Sequence, residues 1–259
     1  MTDQSGNGND AIQTDVSRKP IVVSDELNHK PVLRFDGVND RLDLTGSNRM
    51  SQISFFIVEK PIQGATGPNS YYPPIEFGDH SGNYGLSMQN AFSNNSPDEI
   101  DPFVCTQSWV RATSPGCATF GQWKSISVGA NQTMYSTTLG VNGADAVITP
   151  QGTTNASLSF PLGNSTGTEI GGIGEIDGET EGQLVFKGDI AEVIVYDTVL
   201  SNSDRLKIEN YLKVKYLPDS TQAVNDMKPV IQRFSLEQNY PNPFNPSTTI
   251  KYTIAKPVL

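Results

Sequence analysis

The sequence predicts an all-β fold closed by one short C-terminal helix, and three observations carry that prediction. The 23 glycines and 17 prolines, with many Asn, Ser and Thr, are spread along 259 residues, as short strands joined by turns require. Charged residues, at 18%, are too sparse for a helical bundle or coiled coil. A dense strand pattern from Gly188 to Asp197 precedes the one convincing helical pattern, and the chain before it reads as β-structure. The length suits one domain plus a tail.

Taken in order, Asp3 to Ala11 is a Gly/Asn-rich opening. Pro31 to Leu44 is read as a hairpin: Val32 and Arg34 alternate with Leu33 and Phe35, Asp36-Gly37 and Asn39-Asp40 supply the turn, and Leu42 and Leu44 resume the apolar face. Ile53 to Glu59 is a buried strand, and Ile75 to Gly78 pairs with Tyr84 to Met88 across the turn at Asp79 to Asn83. Asn90 to Gly121 is read as a long irregular segment, either a functional loop or an insertion. Trp123 to Ala130 is a strand. Thr133 to Val141 and Ala146 to Thr149 flank a hairpin signal at Asn142-Gly143 and are expected in the middle of a sheet. Leu158 to Leu162 and Thr168 to Gly172 lead to the last strand.

In that strand, period two puts Ala191, Val193 and Val195 on one face and Ile190, Glu192, Ile194 and Tyr196 on the other. Both faces are mostly apolar, so the strand is expected at a sheet centre. Glu192 among Ile190 and Ile194 needs an ion pair, hydrogen bonds or a metal to offset its desolvation. Ser201, three residues before Asp204, caps a helix along which Leu206, Tyr211, Leu212 and Lys215-Tyr216 recur, and Pro218 stops it.

Two phrases add a resemblance. "LRFDGVNDRLDL" from Leu33 and "FKGDIAEVIVYDTVLSNSDRLKIENYLKVKYL" ending at Leu217 resemble the opening and closing of the laminin G-like family, which implies a concanavalin A-like jelly-roll β-sandwich over residues 1–217. Trp123 stands where that family has a core tryptophan, so packing is expected of it. In that family a segment like Asp3 to Ala11 follows an earlier strand, so the first strand and export signal are expected to be missing here. Residues 218–233 read as a linker. The stretch "FSLEQNYPNPFNPSTTIKYTIAKP", Phe234 to Pro257, resembles the start of the C-terminal sorting domain of type IX secretion substrates, so 234–259 is read as a truncated sorting domain. The resemblance implies a secreted or cell-surface bacterial protein that meets the type IX secretion machinery through its tail.

The formal net charge of −10 excludes the basic stripe of a nucleic-acid binder. No run of about 18 apolar residues exists, so no membrane span is predicted. Cys105 and Cys117 share a polar loop; a disulfide is the leading reading over free thiols for an exported protein. A structural calcium is the metal expectation, because Asp, Asn and Glu offer hard oxygen ligands. Asp3, Asn7, Asn9 and Glu192 form the first set, the resembled family holding a calcium near this position in some members, and Asp36, Asn39 and Asp40 the second.

For a polysaccharide or glycan ligand, aromatic platforms and planar polar groups are the expected tools, and Tyr71, Tyr72, Tyr84, Trp109 and Arg111 are the candidates. Glu175, Asp177 and Glu179 are similar to the acidic strand of retaining laminarinase and lichenase-type glucanases, which share the fold. That pattern implies a nucleophile, a tuning Asp and an acid/base. Gly178 and its neighbouring glycines interrupt the strand, so the favoured reading is a non-catalytic carbohydrate-binding or adhesive module. A glycoside hydrolase is the alternative, and a structural spacer the third reading.

Overall fold

The computed structural model of the chain describes residues 1–45, 49–50, 52–62, 69–79, 84–93, 96–105, 109–112, 119–130, 138–151, 160–161, 169–171, 185–217, 235–236 and 252–253. It forms two compact units, Met1–Leu217 and Pro218–Leu259. In chain order the first carries β1 (Ala11–Ile12), a 3-10 turn (Val16–Arg18), β2 (Ile21–Leu27), β3 (Lys30–Asp36), β4 (Leu42–Leu44), β5 (Arg49–Met50), β6 (Ile53–Pro61) and β7 (Asn69–Asp79). There follow β8 (Tyr84–Ser93), β9 (Ser96–Cys105), β10 (Trp109–Ala112), β11 (Lys124–Ala130), β12 (Thr138–Val141), β13 (Ala144–Asp145) and β14 (Ile148–Gln151). Last come β15 (Phe160–Pro161), β16 (Glu169–Ile170), β17 (Lys187–Tyr196) and the helix α1 (Asn202–Tyr216). In the second unit β18 (Ser235–Leu236) pairs antiparallel with β19 (Tyr252–Thr253).

Two antiparallel sheets form a concanavalin A-like jelly-roll sandwich. One has the order β1-β4-β16-β7-β8-β9-β10-β14, the other β13-β12-β11-β6-β17-β3-β2. Their inner faces share one core, to which β4, β7 and β16 bring Leu42, Leu44, Ile75, Phe77 and Ile170, and β3, β6, β11 and β17 bring Phe35, Ile53, Phe55, Ile57, Ile126, Val128 and Ile190. A second cluster lies on the outer face of the seven-stranded sheet, where Val32, Phe56 and Val58 meet Leu212 and Tyr216 of α1. The helix explains why β6 is apolar at consecutive positions: both of its faces are covered.

Strand β17 lies between β6 and β3, the central place its two apolar faces predict. Its alternation differs from the expected one, because a β-bulge between Ile190 and Glu192 shifts the register. Ile190, Val193 and Val195 pack on the inner core, while Ala191, Ile194 and Tyr196 pack under the helix. The expected hairpin at Pro31 to Leu44 is also corrected. β3 belongs to the seven-stranded sheet and β4 to the eight-stranded one, so the turn between them is an arch joining the two layers. In that arch Asp36 Oδ1 accepts from Val38 N at 2.7 Å and Asp40 Oδ2 accepts from Asp36 N at 2.9 Å. Gly37, at φ 76°, is required there, since a Cβ would stand 2.6 Å from Lys187 Cβ.

The hairpin partner of β3 is β2, through a two-residue turn at Asn28 and His29, both left-handed at φ 47° and 58°. Asn142-Gly143 does make a hairpin, but it joins β12 to β13 at the edge of a sheet, not its middle, and β14 crosses to the other sheet. Much of the expected irregular segment is regular: β8 runs to Ser93, and β9 and β10 extend the eight-stranded sheet. α1 is capped as expected, Ser201 Oγ accepting from Asp204 N at 3.2 Å. Its buried stripe is Arg205, Glu209, Leu212 and Tyr216, while Leu206 and Tyr211 are exposed.

Candidate functional site

With α1 covering the outer face of the seven-stranded sheet, the outer face of the eight-stranded sheet is the sandwich face on which no helix is described. The strands there alternate an inward apolar residue with a polar one, as in Leu42-Asp43-Leu44 and Ile75-Glu76-Phe77. Register brings the polar positions into one row. Asp43 pairs with Glu169, Glu169 with Glu76, Glu76 with Ser87 and Ser87 with Phe103, across β4, β16, β7, β8 and β9. Directly opposed cross-strand residues have Cβ atoms about 5 Å apart, and like charges so placed repel. Arg41, whose Nε is 3.6 Å from Asp43 Oδ1, offsets one end of the row. Glu76 is 1% exposed. Asp43, whose side chain is 36% exposed, is the accessible carboxylate of this row, an acceptor suited to hydroxyl donors.

The five candidate ligand residues lie in this same sheet: Tyr71 and Tyr72 on β7, Tyr84 on β8, Trp109 and Arg111 on β10. Tyr72 pairs with Asn90, Tyr84 with Asp79, Trp109 with Gln151 and Arg111 with Thr149. Tyr84 and Asn90 are six positions apart on β8, so Tyr72 and Tyr84 stand about 20 Å apart along the strands. Their strands and register are described; their side chains lie outside the described residues. Glu175, Asp177, Glu179 and Cys117 also lie outside them, and Cys105 ends β9. Asp43, Glu76 and Glu169 were not singled out in the sequence; their signal, an acid between two core residues, gains meaning only from strand pairing.

The expected calcium set does not come together. Asp3 organises the opening loop: its carboxylate accepts from Ser5 N and Ser5 Oγ, both at 2.8 Å, and from Asn9 N at 3.0 Å. The amides of Ser5 and Asn9 hold its carboxyl below the usual range. The loop is closed by Asp3 N donating to Asp10 Oδ1 at 2.7 Å and by Thr45 Oγ1 donating to Gly8 O at 3.0 Å. Glu192 belongs to the other sheet, where Lys215 Nζ donates to its Oε2 at 2.7 Å. Its desolvation is offset by an ion pair, one of the three outcomes its position demanded. Among the described residues no group of three or more His, Cys, Asp or Glu is placed to hold a metal ion. In the second set, the Asp36 and Asp40 carboxylates accept backbone amides of the arch.

A further polar cluster lies on the outer face of the seven-stranded sheet beyond α1. Asp189, fully buried, accepts from Arg34 Nε and Nη2 at 2.6 and 2.9 Å and meets Lys60 Nζ at 2.9 Å. Lys60 also donates to Glu26 at 2.8 Å and stands 5.0 Å from the Trp123 ring centroid. Burial would raise the Asp189 carboxyl, but Arg34 and Lys60 outweigh it and hold it below the usual range. Trp123 packs against the Phe56 cluster, the core role expected of it. Every charge here has a partner of opposite sign, so the cluster clamps β2, β3, β17 and β6 together.

No family model matches the sequence, and no curated protein matches it. Among solved structures, the enzymatically active domain of tailspike protein 2 from bacteriophage CBA120 aligns over 81% of this chain and 31% of its own, with 15% identity and a TM-score of 0.54. The ligand-binding domain of botulinum neurotoxin serotype D, in complex with N-acetylneuraminic acid, aligns over 81% of this chain and 48% of its own, with 14% identity and a TM-score of 0.52. A heptameric SAP-like pentraxin from Limulus polyphemus covers 65% of this chain and 74% of its own at 16% identity and a TM-score of 0.49. The likeness is one of fold. The chain spans less than half of the toxin domain and less than a third of the tailspike. No helix among the described residues is long and apolar enough to cross a membrane.

Proposed function

We propose that residues 1–217 are a non-catalytic carbohydrate-binding module and that the outer face of the eight-stranded sheet is its ligand face. The observation that carries this reading is the cross-strand row Asp43, Glu169, Glu76 and Ser87, in a sheet that also holds Tyr71, Tyr72, Trp109 and Arg111. An accessible carboxylate on this face, as at Asp43, accepts hydrogen bonds from sugar hydroxyls and repels acidic groups, so the ligand class is a neutral glycan. Use of this fold by a toxin domain solved with N-acetylneuraminic acid supports sugar binding in general. The net charge of −10 disfavours an anionic sugar.

Gel retardation on neutral polysaccharides, beside an anionic one, tests the proposal. Retardation by a neutral polymer, weakened about tenfold in Asp43→Asn by loss of a charged hydrogen bond, is the expected result. No retardation by any polymer, or retardation unchanged in Asp43→Asn, would overturn it. Reducing-end release in the same panel separates hydrolysis from binding. For the tail, Asn239 to Pro246 supports export by type IX secretion, at the cell surface or beyond. Loss of the protein from the medium on deleting that stretch is the check.

A further inference from the structure

The sequence holds two Asn-Gly dipeptides, Asn7-Gly8 and Asn142-Gly143, and the fold treats them differently. In the second, Asn142 Oδ1 accepts from Ser125 N at 2.9 Å and Asn142 N donates to Ser125 O at 2.8 Å. The carboxamide is therefore pinned to β11 while its backbone sits in the tight β12–β13 turn. In the first, Asn7 and Gly8 are exposed in the opening loop. The amide of Asn7 donates to Ser5 Oγ at 3.3 Å, and its side-chain carboxamide makes no hydrogen bond among the described residues. Gly8 adopts φ 76°, and nothing lies within 4 Å of where a Cβ would be.

We propose that Asn7 is a site of spontaneous deamidation from which Asn142, in the same dipeptide, is protected by its bonds to Ser125. The Gly8 nitrogen, deprotonated by hydroxide, attacks Asn7 Cγ. A new C–N bond forms, the bond from Cγ to the side-chain nitrogen breaks, and ammonia leaves with the proton it needs from water. The five-membered imide that results is opened by one water at either carbonyl, giving aspartate or isoaspartate at position 7. The net change is one water taken up and one ammonia released, with no change of oxidation state. Attack demands that the carboxamide rotate over the following amide, which the free side chain of Asn7 permits and the pinned side chain of Asn142 does not. The product adds a negative charge to a chain already at −10, close to the carboxylate that organises the loop.

The test is peptide mapping by mass spectrometry of the whole chain held in mildly alkaline buffer, natively and in urea. In the native protein Asn7 is expected to convert about tenfold faster than Asn142, and in urea the two rates should converge to within about twofold, as the hairpin is lost. Equal native rates at the two sites, or a slower rate at Asn7, would overturn the proposal. Gly8→Ala, whose Cβ crowds the attack and opposes the left-handed φ, should slow conversion at Asn7 by about tenfold and leave Asn142 unchanged. An unchanged rate at Asn7 in that variant would also overturn it.

Discussion

Lys215 Nζ donates to Glu192 Oε2 at 2.7 Å, tying the last turn of α1 to the strand at the centre of the seven-stranded sheet. It also donates to Tyr211 Oη at 2.6 Å. Burial opposes the lysine's charge, yet these two bonds hold its pKa above the usual lysine range. A raised folded pKa stabilises below the unfolded value, and the gain fades as pH rises beyond about 10.4. Lys215→Met should therefore cost about 1–2 kcal/mol in urea unfolding at neutral pH. The gap from the unsubstituted protein should begin to close above that pH, and a variant equally stable at neutrality would show that the pair contributes nothing.

The Asp189 cluster has the opposite pH signature. Its depressed carboxyl stabilises above the unfolded value near about 3.9, and that stability is lost as pH falls through the folded pKa. Asp189→Asn leaves Arg34 and Lys60 without their shared anion and should cost about 3 kcal/mol at neutral pH. Roughly 6–12 °C of Tm corresponds to that loss. Calorimetry across the acid range is the measurement: the variant should lack the steepest part of the acid transition.

Gly140 permits a close approach. A Cβ there would stand 2.6 Å from Glu209 Oε1 and 2.8 Å from Arg205 Nη1, the ion pair that α1 lays over β12. Gly140→Ala should destabilise by about 2 kcal/mol through this overpacking. Ser127, whose hydroxyl also bonds Glu209, lies against the same added atom. Double-mutant denaturation with Ser127→Ala should recover part of the loss, and strict additivity would place the strain elsewhere.

Calcium provides a fourth check. The Asp3 carboxylate already accepts three hydrogen bonds that close its loop, so a cation would have to displace them. Calcium or chelator should move the Tm by less than about 1 °C at millimolar concentration. A rise of several degrees, abolished by Asp3→Ala, would establish the site.

What was legible in the sequence is what local chemistry decides. Ser201 with Asp204 announced the start of α1, Asn142-Gly143 announced a two-residue hairpin, and Ile53 to Glu59, apolar without a break from Phe55 to Val58, announced a buried strand. The errors came from choices made at a distance. The Asp36–Asp40 turn has the residues of a hairpin, yet only the company of Leu42 and Leu44, in the other sheet, makes it an arch. Period two failed on β17 because one bulged position turned Ala191 toward the helix and left Ile190 inward. The candidate face was hidden for the same reason: Asp43, Glu76 and Glu169 are far apart in the chain and become a row only when β4, β16 and β7 pair.

Arg34 and Asp189 are 155 positions apart, and β17 is the strand on which both β3 and β6 close. The seven-stranded sheet is therefore in two halves until residues near Lys187 have arrived. Such non-local closure makes folding slow and leaves strand edges open meanwhile. A nascent chain stays an unfinished sheet through most of residues 1–217, and β17 acts as the keystone that commits that whole unit.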